Sequence, residues 1–160
     1  TAAPPPEYPG TMRLAVSTLR HNPRSPAAGH KTSAYLPYLL ARREAERAGA
    51  DEALILDQDG NVAEGSFTSV LAVIGGAIVA PPLDLRILPG VTRAFVLDAA
   101  RGLGIPVEER TLPVAEFAAA DEAMLTSALM GLRPASTLDG RPLGAGPGGP
   151  IAAALAAAIE

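Results

Sequence analysis

Apolar and polar residues alternate through MRLAVSTLR (12–20), the two-residue period of a half-buried strand. The rhythm changes after NPRSPAAG. Leu36, Leu39 and Leu40 fall at helical spacing, and the pattern predicts a helix over 36–48 with Gly49 suited to its end. Pro37 is tolerated only in a first turn, which sets the helix start close behind Lys31. DEALILD (51–57) reads as a buried strand, QDGN as a tight turn, and VAEG with SFTSVLAVI (62–74) as strand again. A Gly-Gly turn leads into the strand AIVA (77–80), and PPLDLRILPG forms a loop before a helix over 91–104 that ends at Gly102 or Gly104. IPVEERT predicts a strand, VAEFAAA a short helix, and DEAMLTS another strand. RPASTLDGRPL (133–143) predicts a hairpin turning at Asp139-Gly140, and IAAALAAAIE a closing helix. No internal repeat is visible. These elements describe a mixed α/β domain dominated by sheet.

Composition narrows the function. The chain has 160 residues, enough for one domain with a substantial core, and 48% of them are hydrophobic. A net charge of -4 gives no basic footprint for nucleic acid. No apolar run reaches the ~18 residues of a membrane span, and a cytoplasmic location is the expectation. With no cysteine, thiolate chemistry is excluded, and two histidines, His21 and His30, make a histidine metal cluster unexpected. The opening TAAPPPEYPG is proline-rich and reads as a linker over 1–11 leaving something upstream, with the domain at 12–160.

Of the 13 basic residues, Lys31 is the one lysine. Codon usage in a GC-rich genome accounts for the arginines. The surviving amine is either chance or chemistry, because an amine forms a Schiff base and a guanidinium does not. Three other stretches bear on that choice. LPGVTR (88–93) sets Gly90 before a helix whose first amides and Thr92 hydroxyl could hold an anion, or form an ordinary capped turn. LTSALMG (125–131) ends a strand in hydroxyls and turns through small residues. NVAEGS (61–66) puts Glu64 either on a solvated edge or inside, facing a cation. Together, one lysine, one strand glutamate and two anion turns match what pyridoxal 5′-phosphate requires.

In this order the motifs resemble the fold-type IV, or class IV aminotransferase, group of pyridoxal-phosphate enzymes. The resemblance runs from about Tyr8 to Ile151 through KTSAYLPYLLARREAERAGADEALILDQDGNVAEGS, LPGVTR, GIPVEER, ADEAMLTSALMGLRPASTLDG and GPGGP. It implies the sheet-rich cofactor-binding large domain of the D-amino-acid aminotransferase-like fold and, by that match, a homodimer. It assigns Lys31 to the Schiff base and the catalytic proton transfer, and Glu64 to the ring nitrogen. Val91 and Thr92 match the phosphate-binding helix start. Ser127, by hydroxyl, and Ala128, by amide, match the second phosphate turn, and Tyr35 falls near the cofactor's phenolic oxygen.

Within the group, SALMGLRP looks more like 4-amino-4-deoxychorismate lyase, since the aminotransferases often carry threonine where Ala128 sits and glutamate where Gly131 sits. That likeness implies release of pyruvate and 4-aminobenzoate, a folate precursor. The alternatives are an aminotransferase acting on D-amino or branched-chain acids and a non-catalytic fragment that retains the fold. Two departures stand out. Ser69-Val70-Leu71 replaces the group's asparagine, apolar residue and phenylalanine, and the smaller N-terminal domain, which lends an arginine to the phosphate, has no counterpart here.

Overall fold

The computed structural model describes residues 7–144, 146 and 148–159. The strands are β1 (Met12–Arg20), β2 (Glu52–Leu56), β3 (Val62–Gly65), β4 (Ser69–Ile74), β5 (Ala77–Ala80), β6 (Val107–Glu109), β7 (Glu122–Ser127), β8 (Gly131–Leu138) and β9 (Arg141–Pro142). The helices are α1 (Leu36–Arg47), α2 (Val91–Gly102), α3 (Val114–Ala118) and α4 (Pro150–Ile159). Every element read from the sequence is present, with shifted ends. The strand expected through IPVEERT shrinks to three residues, and α2 stops at Gly102 because Gly104 takes the left-handed turn at φ 73°. Of the linker expected over 1–11, residues 1–6 lie outside the described part, while Tyr8 packs against Phe67 with ring centroids 6.0 Å apart.

The strand order is β3-β2-β1-β8-β7-β4-β5-β6, with β9 on β8. β3 and β4 stand apart in that order, yet only Ser66–Thr68 separates them in sequence, and the Gly65 N–H donates to the Thr68 carbonyl at 2.8 Å. The sheet therefore curls until β3 meets β4. Its concave face is filled by Met12, Leu14, Leu54, Val70, Leu125 and Phe117. On the convex face, α2 and α4 cover Leu71, Val73, Met124 and Leu132, while Ala41 and Ala45 of α1 cover Ala15, Ala53 and Ile55. Alternate residues of each strand serve opposite faces, so both surfaces are buried, as the near-continuous apolar runs of β2 and β4 require.

Two buried charged side chains fix the helices on that face. Arg93, 4% exposed, donates to the Pro81 carbonyl and to Glu109. Glu122 accepts the Ile151 and Ala152 amides, capping α4 from a strand at the end where its dipole favours negative charge.

Candidate active site

Glu64 owes its direction to a β-bulge. Leu56 pairs with Val62 but Ile55 pairs with Glu64, so one extra residue, Ala63, sits in β3. Strict alternation from Val62, which faces the concave core, would have turned Glu64 inward as well. The bulge puts it on the convex face with Ile55, beneath α1. There it is 6% exposed. Its Oε1 accepts from Tyr38 Oη at 2.8 Å and its Oε2 from the Leu88 N–H at 3.2 Å, while His21 Nδ1 stands 3.6 Å from Oε1. Burial pushes the carboxyl's pKa up, and the Tyr38 hydrogen bond, the Leu88 amide and His21 oppose that. The solvated-edge alternative is excluded.

The same face carries the anion end. A Cβ on Gly90 would come within 2.7 Å of Ser69 Oγ, so the start of α2 lies against the start of β4. Ser69 pairs directly with Thr126 across the antiparallel β4–β7 ladder, which sets both side chains on one face. The Thr126 hydroxyl is buried and has no hydrogen-bond partner. No side chain caps α2, leaving the amides of Val91 and Thr92 as free donors. Val91 and Thr92 are thus brought beside Ser69 and Thr126. Ser127 and Ala128 follow directly on Thr126, but the Ser127 hydroxyl accepts the Met130 N–H and so holds its own turn. The hydroxyl left without a partner is the one a residue earlier.

Lys31 lies at the end of a long loop, exposed, and makes no ion pair among the described residues. Its neighbours His30 and Thr32 line a cavity of about 200 Å³, together with Arg20, His21, Tyr35 and Tyr38. The cavity therefore reaches from the lysine's arm to two residues that touch Glu64. Tyr35 stacks on Tyr38, centroids 5.1 Å apart, and its hydroxyl donates to the Ser66 carbonyl at 2.6 Å, just past Glu64. Burial and the nearby Glu52 and Glu64 charges raise the Tyr35 pKa.

The family described as "Amino-transferase class IV" matches residues 1–138. The chain belongs to the class IV aminotransferase family. The branched-chain-amino-acid aminotransferase of Pseudomonas aeruginosa is 35% identical over 140 residues, covering 88% of this chain and 45% of that protein. Among solved structures, the branched-chain aminotransferase from Thermobaculum terrenum in its PLP form superposes with a TM-score of 0.89 at 33% identity, over 93% of this chain and 50% of that one. The branched-chain aminotransferase from the archaeon Thermoproteus uzoniensis with norvaline gives 0.86 at 35%, over 93% and 50%. The chain spans about half the length of these class IV aminotransferases. They are named as branched-chain enzymes, and nothing among them points to the lyase.

Two residues of the site, His21 and Tyr38, escape the motif reading, as does Glu52 on the opposite face of the sheet. His21 and Tyr38 carry no signal of their own in an isolated sequence, whereas Thr126 is one of the two hydroxyls that end the strand of LTSALMG. Glu52 did carry one: a glutamate inside the unbroken apolar run of β2 has to be paired. It is completely buried on the concave face, where Ala53 N–H, Ser66 N–H, Ser66 Oγ, Phe67 N–H and Thr68 Oγ1 all donate to it. Gly65 is required because a Cβ there would collide with Thr68 Oγ1 and crowd the Glu52 carboxylate.

Proposed function

We propose that this chain is the cofactor-binding domain of a pyridoxal 5′-phosphate-dependent aminotransferase acting on branched-chain or similar amino acids. The observation that carries this reading is the buried Glu64 carboxylate on the same convex face as uncapped helix amides and an unpartnered threonine hydroxyl. A desolvated carboxylate with few donors fits a protonated ring nitrogen, and free amides with a spare hydroxyl fit a phosphate. Those donor sets match the two ends of the cofactor.

In this reading the amides of Val91 and Thr92 bind the phosphate, with Ala128 and Ser127 at the adjoining turn. Glu64 holds the proton on the ring nitrogen. Tyr35 borders the ring, and its stacking partner Tyr38 steadies Glu64. The cofactor supplies an electron sink. Lys31 is the amine that would hold the cofactor's aldehyde and, once freed by substrate, would accept the proton from the amino acid's Cα. The lyase alternative rests on Ala128 and Gly131, the latter at φ 67°, a conformation disfavoured for the glutamate that the aminotransferases often carry there.

Borohydride reduction with pyridoxal phosphate, followed by peptide mapping, tests the anchor. The label is expected on Lys31; a label confined to the N-terminal amine, or none, refutes the reading. Assay of amine transfer then separates the reactions. Transfer from a branched-chain amino acid that requires a keto-acid acceptor supports the aminotransferase, whereas pyruvate released from 4-amino-4-deoxychorismate without an acceptor supports the lyase.

A further inference from the structure

Lys31 ends a loop, residues 21–30, that contains no helix or strand, yet a catalytic amine must be held to a fraction of an ångström. Beyond the N–H of its first residue, which donates to the Leu56 carbonyl at 2.8 Å, the loop is fastened to the rest of the fold by Leu85 and Arg86. His21 Nε2 is 2.7 Å from the Leu85 carbonyl. The Arg86 guanidinium donates from Nη1 to the Pro23 carbonyl at 3.0 Å and from Nη2 to the Ala28 carbonyl at 3.3 Å. One planar cation thereby bridges two carbonyls five residues apart and draws the loop into an arch. Gly29 packs against the Arg86 backbone, where a Cβ would stand 3.5 Å from its carbonyl oxygen.

Arg86 itself has left-handed backbone, φ 56° and ψ 37°, which a non-glycine residue adopts only at a cost in strain. That turn aims the side chain back over the lysine arm. Two residues on, the Leu88 amide bonds Glu64, and Gly90 opens α2. A single short segment therefore touches the lysine arm, the buried carboxylate and the anion end in succession. Neither partner carbonyl is in a helix or strand, and the turn bonds within the loop are all local, so the guanidinium ties those turns to the rest of the fold.

We infer that Arg86 is a positioning residue for Lys31: its guanidinium holds the 23–28 arch so that the lone amine meets the aldehyde of a phosphate-anchored cofactor. This rests on the cofactor reading above and adds a residue that acts on the amine without touching the cofactor.

The lone lysine makes the test clean. Two variants of the full chain, Arg86→Lys and Arg86→Gly, are compared with the wild type. The first keeps the charge but cannot bridge both carbonyls, and the second removes the cation while suiting the left-handed backbone, so misfolding is avoided. Three measurements are made: the rate of borohydride-trapped capture of pyridoxal phosphate at Lys31, the affinity for pyridoxine 5′-phosphate, which has no aldehyde, and amide hydrogen exchange over residues 24–31. Positioning predicts capture slowed about ten-fold or more in both variants, the scale of a lost charged hydrogen bond. It also predicts unchanged pyridoxine 5′-phosphate affinity and faster exchange confined to the arch. Capture at the wild-type rate overturns the inference, as does a parallel loss of pyridoxine 5′-phosphate affinity, which marks a general structural role. If the wild type captures nothing, the cofactor reading fails by itself and exchange alone decides: unchanged protection over 24–31 overturns the tether, and its loss upholds it.

Discussion

Glu52 and Glu64 are both buried carboxylates on adjacent strands, but they face opposite sides of the sheet. Glu52, on the concave side, is surrounded by five donors drawn from its own neighbourhood. Glu64, on the convex side, has two donors and a histidine at 3.6 Å. Burial raises the pKa of both. For Glu52 the three backbone N–H groups can only donate, so the network fits the ionised form and is complete within the fold. Glu64 is under-supplied for a carboxylate so deeply desolvated, and its charge suits a cation brought from outside. A saturated buried charge is complete within the fold, whereas an unsaturated one beside a cavity is a candidate ligand site.

The largest effect should come from the saturated member. Replacing Glu52→Ala strands three amides and two hydroxyls in the interior, and a loss of about 3–5 kcal/mol is expected from denaturant midpoints. Glu52→Gln should lose less, because its oxygen still accepts while its amide group meets donors. A midpoint within error of the wild type for Glu52→Ala would erase the distinction between the two sites.

Glu64→Gln should show the reverse pattern. Because the folded pKa of Glu64 lies above the ordinary carboxylate value, its contribution to stability is complete below that ordinary value. The contribution is lost as pH rises through the folded one. Without cofactor, the variant should therefore match the wild type in acid and exceed it in stability at neutral pH. Thermal melts across that range check this. A variant less stable at pH 7 would mean that Glu64 is also a structural carboxylate. Tyr38 and His21 face the same group, with Tyr35 nearby, and none of them is altered by the substitution.

The smallest effect is expected at Thr126. Its hydroxyl is buried without a partner, so Thr126→Val should change stability by less than about 0.5 kcal/mol or raise it slightly. Phosphate affinity should fall all the same, which titration with pyridoxine 5′-phosphate would detect. Unchanged affinity would return the role to Ser127 and Ala128.

These comparisons also mark what could be read without coordinates. The helices and strands were legible because Leu36, Leu39 and Leu40, or the alternation through β1, carry their period locally. The order of the motifs disclosed the family and singled out Lys31 and Glu64 as candidates. The face on which Glu64 lies was not legible, because a one-residue bulge at Ala63 reverses it and alternation would have turned the side chain into the core. The strand pair around Ser66–Thr68 was not separable either, since its bend is set by Glu52, fourteen residues before Ser66 in sequence. Nor could the sequence show that the Ser127 hydroxyl accepts the Met130 N–H while the Thr126 hydroxyl has no partner.

The curled sheet has a consequence for how the molecule comes into being. β1 is the first of these strands to be made and lies between β2 and β8, parallel to both. Its β2 side can be satisfied early, but its other edge waits for β8, and the Val16 amide waits for the Asp139 carboxylate, 123 residues later. At synthesis rates of ~5–20 residues per second, that edge stays open on the order of ten seconds on a ribosome. Throughout that interval a strand destined for the centre of the sheet is an edge, with the pairing hazards of one.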